Sequence, residues 1–112
     1  MSAKDLSLLE QRIMLAILRQ HPNAYGVSIQ DEIRTRSGKD YSFGSIYTAL
    51  GRLEDNGFIE SRAGEASATR GGRRKLYFEL TGMGSRVLDQ ELNATDALRV
   101  GVPGEVADVR SF

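Results

Sequence analysis

Ser42-Phe43-Gly44-Ser45-Ile46-Tyr47-Thr48-Ala49-Leu50-Gly51-Arg52-Leu53-Glu54-Asp55-Asn56-Gly57 is the segment from which the architecture follows. Phe43, Ile46, Leu50 and Leu53 recur at intervals of three and four, with Tyr47 at the edge, which is one apolar stripe on a helix. Ser42 stands three residues ahead of Ser45 and can cap the first turn. Asn56-Gly57 supplies the stop. The opposite face presents Gly44, Ser45, Thr48, Gly51 and Arg52, small or polar apart from one arginine. A glycine inside a helix costs about 1 kcal/mol relative to alanine. Gly51 on the outer face therefore implies either a close approach by something else or a position under little demand.

Upstream, residues 5–20 read as an amphipathic helix. Leu6, Leu9, Ile13, Ala16 and Ile17 lie on one stripe, Glu10, Arg12 and Arg19 lie off it, and Asp5 or Ser7 can cap it. His21-Pro22-Asn23 ends it, because proline disfavours helical geometry in the residue before it. A second helix follows from Tyr25 to Arg36, with Ile29 and Ile33 inward, Asn23 as candidate cap and Ser37-Gly38 as stop. Two helices joined by a short glycine-containing turn form a helix-turn-helix.

Downstream, Phe58–Ala63 and Lys75–Leu80 read as strands, the second alternating Leu76, Phe78 and Leu80 with Lys75, Tyr77 and Glu79. The connection from Gly64 to Arg74 is too long for a tight turn. Thr81 then caps a last helix to about Arg99, with Met83, Val87, Leu88, Leu92 and Leu98 as its apolar positions. The fold class is mainly α with a small β-hairpin (α+β). A winged helix-turn-helix occupies 1–81, a C-terminal helix suited to dimerisation 82–100, and a flexible tail 101–112.

The 112 residues suit one domain. There is no cysteine and one histidine, His21, which excludes disulfides, thiol catalysis, thiolate metal sites and any multi-histidine site. No paired acid and base or nucleophile stands at workable spacing, so neither an enzyme nor a cofactor is expected. No apolar run approaches the roughly 18 residues of a membrane span. The N-terminus lacks a secretory pattern, so a cytoplasmic protein is expected. Lys and Arg total 15, as do Asp and Glu, and the net charge is zero. The two signs are segregated: residues 1–87 carry a net +3 and residues 88–112 a net −3. This excludes a protein that coats nucleic acid by bulk charge, but it allows one basic face.

That face has named candidates. A major groove about 12 Å wide admits one helix, and small exposed side chains let it approach deeply. On the third helix Gly44 leaves room, Ser42, Ser45, Tyr47 and Thr48 can donate to bases or phosphates, and Arg52 reaches toward the backbone. The connection between the strands ends in Arg70, Arg73, Arg74 and Lys75, four cations in six residues. Arginine pairs with phosphate in two-pronged fashion and enters narrow minor grooves. Tyr25, at the start of the second helix, either helps hold a phosphate there or packs beneath the first helix. Val87, Leu88 and Leu92 either finish the monomer core or join two copies. Winged-helix readers pair to place two helices about 34 Å apart on double-stranded DNA. The alternative function is a winged-helix module that binds protein without sequence-specific DNA binding, which the neutral charge and the bare Gly44/Thr48/Gly51 face favour.

Ala24-Tyr25-Gly26, Gly44-Ser45-Ile46-Tyr47, Leu50, Arg52-Leu53-Glu54, Asn56-Gly57-Phe58-Ile59-Glu60-Ser61, Gly72-Arg73-Arg74-Lys75-Leu76-Tyr77 and Leu80-Thr81 follow one another in an order that resembles the PadR family of bacterial transcriptional regulators. The resemblance covers about residues 6–90. It implies a winged helix, a homodimer built largely through the C-terminal helix, and repression of a nearby operon. It also implies release from DNA by a small hydrophobic or aromatic effector. The chain departs from the pattern at Thr48 and Gly51, where many relatives carry basic residues, and in its acidic last helix and Gly/Pro-containing tail.

Overall fold

The computed structural model describes residues 5–64 and 74–103. In chain order they form α1 (Leu8–Gln20), α2 (Gly26–Ser37), α3 (Phe43–Asp55), β1 (Ile59–Ala63), β2 (Leu76–Leu80) and α4 (Gly82–Arg99). The strands pair antiparallel from Ile59 opposite Leu80 to Ala63 opposite Leu76. This is a mainly α winged helix, as the sequence predicts. Among the described residues no helix is long and apolar enough to cross a membrane. The tail residues 104–112 lie outside the described residues.

One core joins the elements. Ile13, Met14 and Ile17 of α1, Ile29 and Ile33 of α2, and Ile46, Ala49, Leu50 and Leu53 of α3 meet Phe58, Ile59, Phe78 and Leu88, all buried. Burying each large aliphatic side chain contributes roughly 1.5–3 kcal/mol against its exposed state. Phe43, expected on the inward stripe, is 38% exposed. It lies at the rim of the core, its ring tilted against that of Tyr47 with centroids 4.9 Å apart. Leu76 is exposed too, because its pairing with Ala63 puts it at the end of the hairpin farthest from the core.

Local hydrogen bonds set the helix ends. At α1 the cap is Ser7: its Oγ accepts from Glu10 N at 3.1 Å, while Glu10 Oε1 accepts from Ser7 N at 2.7 Å. This reciprocal capping box buries Glu10, which the periodicity places off the apolar stripe. At α2 the cap is Tyr25 and not Asn23, and Ser28 Oγ accepts from Tyr25 N at 3.0 Å. Gly38 closes α2 with φ 74°, its N–H donating to Arg34 O at 3.0 Å. Tyr41 locks the turn between α2 and α3: its hydroxyl accepts from Arg12 at 2.6 Å and its carbonyl from Gln30 at 2.9 Å.

The last helix is fastened at its start. Thr81 Oγ1 accepts from Gly84 N at 3.0 Å and donates to Gly57 O at 2.7 Å. Thr81 N donates to Phe58 O at 3.0 Å. Here α4 comes so close to the α3–β1 turn that a Cβ on Gly84 would lie 1.9 Å from Phe58 O. A methyl group there forces the backbones apart. Gly84→Ala should cost roughly 2 kcal/mol or more, despite the better helix propensity of alanine. Urea unfolding of the two proteins measures the difference, and an unchanged midpoint would contradict the close approach.

Candidate nucleic-acid interface

The buried arc of α3 leaves its other side in solvent. Ser42, Gly44, Ser45, Tyr47, Thr48, Gly51 and Arg52 are all exposed. Ser42 caps the helix, its Oγ accepting from Ser45 N at 3.1 Å and donating to Ser45 Oγ at 2.9 Å. A Cβ on Gly44 or Gly51 would meet no atom within 4 Å. Nothing inside the chain requires glycine at either position. Gly51→Ala should therefore stabilise the fold by roughly 0.5–1 kcal/mol through helix propensity alone, opposite in sign to Gly84→Ala. The same unfolding experiment reads it.

Tyr47 and Phe43 form an exposed aromatic edge beside α2. The approach is tight at Gly26, where a Cβ would lie 3.2 Å from the Phe43 ring. Exposed Val27 continues this apolar rim. Sequence periodicity places Phe43 in the core, so this rim emerges only from the angle between α2 and α3.

Arg52 is placed differently from the other α3 residues. Its Nε lies 3.6 Å from Glu10 Oε2. It also lines a groove of about 500 Å³ that includes Asp5, Glu10 and Asp55. The guanidinium thus ties the end of α3 to the start of α1, among carboxylates. Asp55, one turn beyond Gly51, adds an acid to the exposed face that the motif reading passes over.

Four side chains converge toward the end of the hairpin from which the wing connection leaves. Lys75 Nζ lies 4.2 Å from the Tyr25 ring centroid, and Arg62 Cζ lies 4.9 Å from that of Tyr77. The two rings meet edge to face at 6.1 Å. Tyr25 therefore packs against the wing and not beneath α1. Arg74 is exposed and makes no ion pair among the described residues. Arg70 and Arg73, the other two cations of the wing, lie outside the described residues.

On α4, Leu88 is buried in the chain's own core, and Val87 and Leu92 are half-buried at its edge. The exposed apolar surface lies farther along, at Leu98 and Val100, each at least 80% exposed. A matching stripe of Leu8, Leu15 and Leu18 is exposed on α1. Beside it a groove of about 300 Å³ runs between α1 and α2, floored by Leu15, Ala16 and Ile33 and rimmed by Arg12, Arg19 and Arg36. Arg19 and Arg36 each donate to Glu32 Oε2 at 2.9 Å. Arg19 and then Arg36 hold the Glu32 carboxyl below its ordinary range.

The model of the transcriptional regulator PadR-like family matches residues 14–90. Solved structures share the fold. A PadR family transcription regulator from Clostridium difficile is 26% identical, with a TM-score of 0.68, 88% of this chain and 100% of that chain covered. A PadR-like transcriptional regulator from Bacillus cereus is 24% identical, with a TM-score of 0.67 and coverage of 88% and 94%. Bacillus subtilis PadR, solved in complex with operator DNA, is 23% identical with a TM-score of 0.67. That alignment covers 77% of this chain and 47% of the longer B. subtilis chain. No curated protein matches the sequence.

Proposed function

Because the chain belongs to the PadR-like family of transcriptional regulators, we propose that it is a DNA-binding repressor that reads a two-fold operator as a homodimer. The observation that carries this reading is the bare outer face of α3, polar, clear of the rest of the chain and flanked by a hairpin that bears cations. The operator-bound B. subtilis relative supports it at the level of the fold. Gly44, Ser45, Thr48 and Tyr47 read base edges, and Ser42 meets the backbone at the helix start. The wing cations Arg70, Arg73 and Arg74 neutralise phosphates. Arg52 acts chiefly by holding α3 against α1, since the carboxylates around it oppose a phosphate.

The dimer covers the exposed stripe of α1 and the projecting end of α4, with Val87 and Leu92 at the margin and Leu88 supporting them from within. A small hydrophobic or aromatic effector would act from the α1–α2 groove, whose apolar floor lies against this stripe.

Two measurements test the reading. Selection of bound sequences from random duplexes should return a two-fold site. On that site the Arg73→Ala/Arg74→Ala double variant should bind all sequences more weakly, with a salt slope reduced by about 2 for each wing. Thr48→Ala should change base preference, and Gly51→Ala should lower affinity while stabilising the fold. Equal binding by wild type and double variant would remove the wing from the mechanism. Retention on neither heparin nor duplex DNA at low salt would favour the protein-binding alternative.

Sedimentation should show a species of about twice the 12.3 kDa chain mass at tens of micromolar. Leu98→Glu should shift it to the monomer, because an ionised carboxylate cannot be buried unpaired without a large cost.

A further inference from the structure

We propose that the column Lys75–Tyr25–Tyr77–Arg62 fixes where the wing lies relative to α3, and that Tyr77 is its positioning residue. The inference rests on the DNA-binding reading above and deepens it. The backbone alone gives the wing little hold on the helix-turn-helix. Among the described residues, one backbone hydrogen bond joins the hairpin to the segment before α2, from Phe78 N to Ala24 O at 2.8 Å. Phe78 is buried beneath it, on the core side of β2.

The opposite face of the hairpin carries the column. Lys75, just before β2, stands two residues from Tyr77, and Arg62 is the cross-strand partner of Tyr77. Tyr77 is held from three sides. The Tyr25 ring, at the cap of α2, meets it edge to face. The Arg62 guanidinium lies over it and also donates to Pro22 O at 2.8 Å. Gly64, where the wing connection departs, presses on it so closely that a Cβ would lie 2.4 Å from Tyr77 Cε2. Gly64 N donates to Lys75 O at 2.8 Å, which closes the connection end of the hairpin beside it.

The buried Ile59 and Phe78 and the Phe78–Ala24 bond hold the core side of the hairpin, and the column adds an attachment on the other face, at the end from which the wing connection leaves. Cations over aromatic faces and edge-to-face rings are directional contacts, so they set an angle as well as a distance. Lys75 takes a different role from Arg74: its ammonium lies over Tyr25 and works as a strut of the wing. A misplaced wing would leave its cations off the phosphates while α3 still read bases.

The test compares Tyr77→Leu, Tyr77→Phe and Gly64→Ala in the full chain, all charge-neutral, on a duplex selected by the wild type. The salt dependence of affinity reads how many phosphates are neutralised. Tyr77→Leu should lower the slope by about 2–3 for each wing, the share of the displaced cations. Gly64→Ala, which displaces the ring and leaves it intact, should do the same, and it carries the test if the leucine variant does not fold. Tyr77→Phe keeps the ring and should restore the wild-type slope. The preferred half-site should not change. If both ring-displacing variants bind with the wild-type slope, even at a lowered melting temperature, Tyr77 is only a packing residue and the proposal fails alone. If the wild type binds no duplex at low salt, it fails together with the DNA-binding reading.

Discussion

Ile46, Ala49, Leu50 and Leu53 must leave water together, and that requirement organises the molecule. They fall on one arc of α3, so the helix can be buried on that side alone. α1 and α2 supply the surface that covers the arc, and Phe58 and Ile59 extend it into β1. Once that arc is fixed, the direction of the opposite face is fixed too. The exposed positions Gly44, Thr48 and Gly51 point outward because the positions between them point inward, and Tyr41 holds the entry to the helix through Arg12 and Gln30. The presentation of this exposed face is thus a by-product of core packing.

The last helix attaches to this unit by close backbone approach more than by side-chain bulk. Gly84 lets α4 rest on the carbonyl of Phe58, and Thr81 joins the same turn by its hydroxyl and its N–H. Gly51 shows the contrast. It is a glycine with open space around it, so the same residue type marks internal contact in one helix and external clearance in another. Only the neighbouring atoms tell the two apart.

That contrast shows why the sequence is legible up to a point. Element order, the α3 stripe, its Ser42 cap and the Thr81 cap follow from local spacing, which a chain carries in a window of a few residues. Tyr25 has two readings in sequence, and its partner Tyr77 lies 52 positions away, so no window holds both. Glu10 reads as a surface charge by periodicity, yet the capping box with Ser7 and the neighbouring Arg52 bury it. Phe43 fits an apolar stripe but sits at a rim, because the angle between α2 and α3 decides how far the core extends. Arg52 reads as a backbone contact by position, and only the fold brings Glu10 of α1 beside it. On α4 the apolar positions alone do not show that Leu88 belongs to the monomer core while Leu98 projects from it.

The zero net charge, 15 basic against 15 acidic residues, conceals how the cations are held. Arg19, Arg34, Arg36 and Arg52 each lie against a carboxylate, and Arg62 and Lys75 lie against aromatic rings. The α3 face itself offers hydroxyls and glycines and no uncommitted cation. If the chain reads DNA, α3 can contribute selectivity but little charge neutralisation, and neutralisation must come from the wing. Affinity and specificity would then reside in different elements.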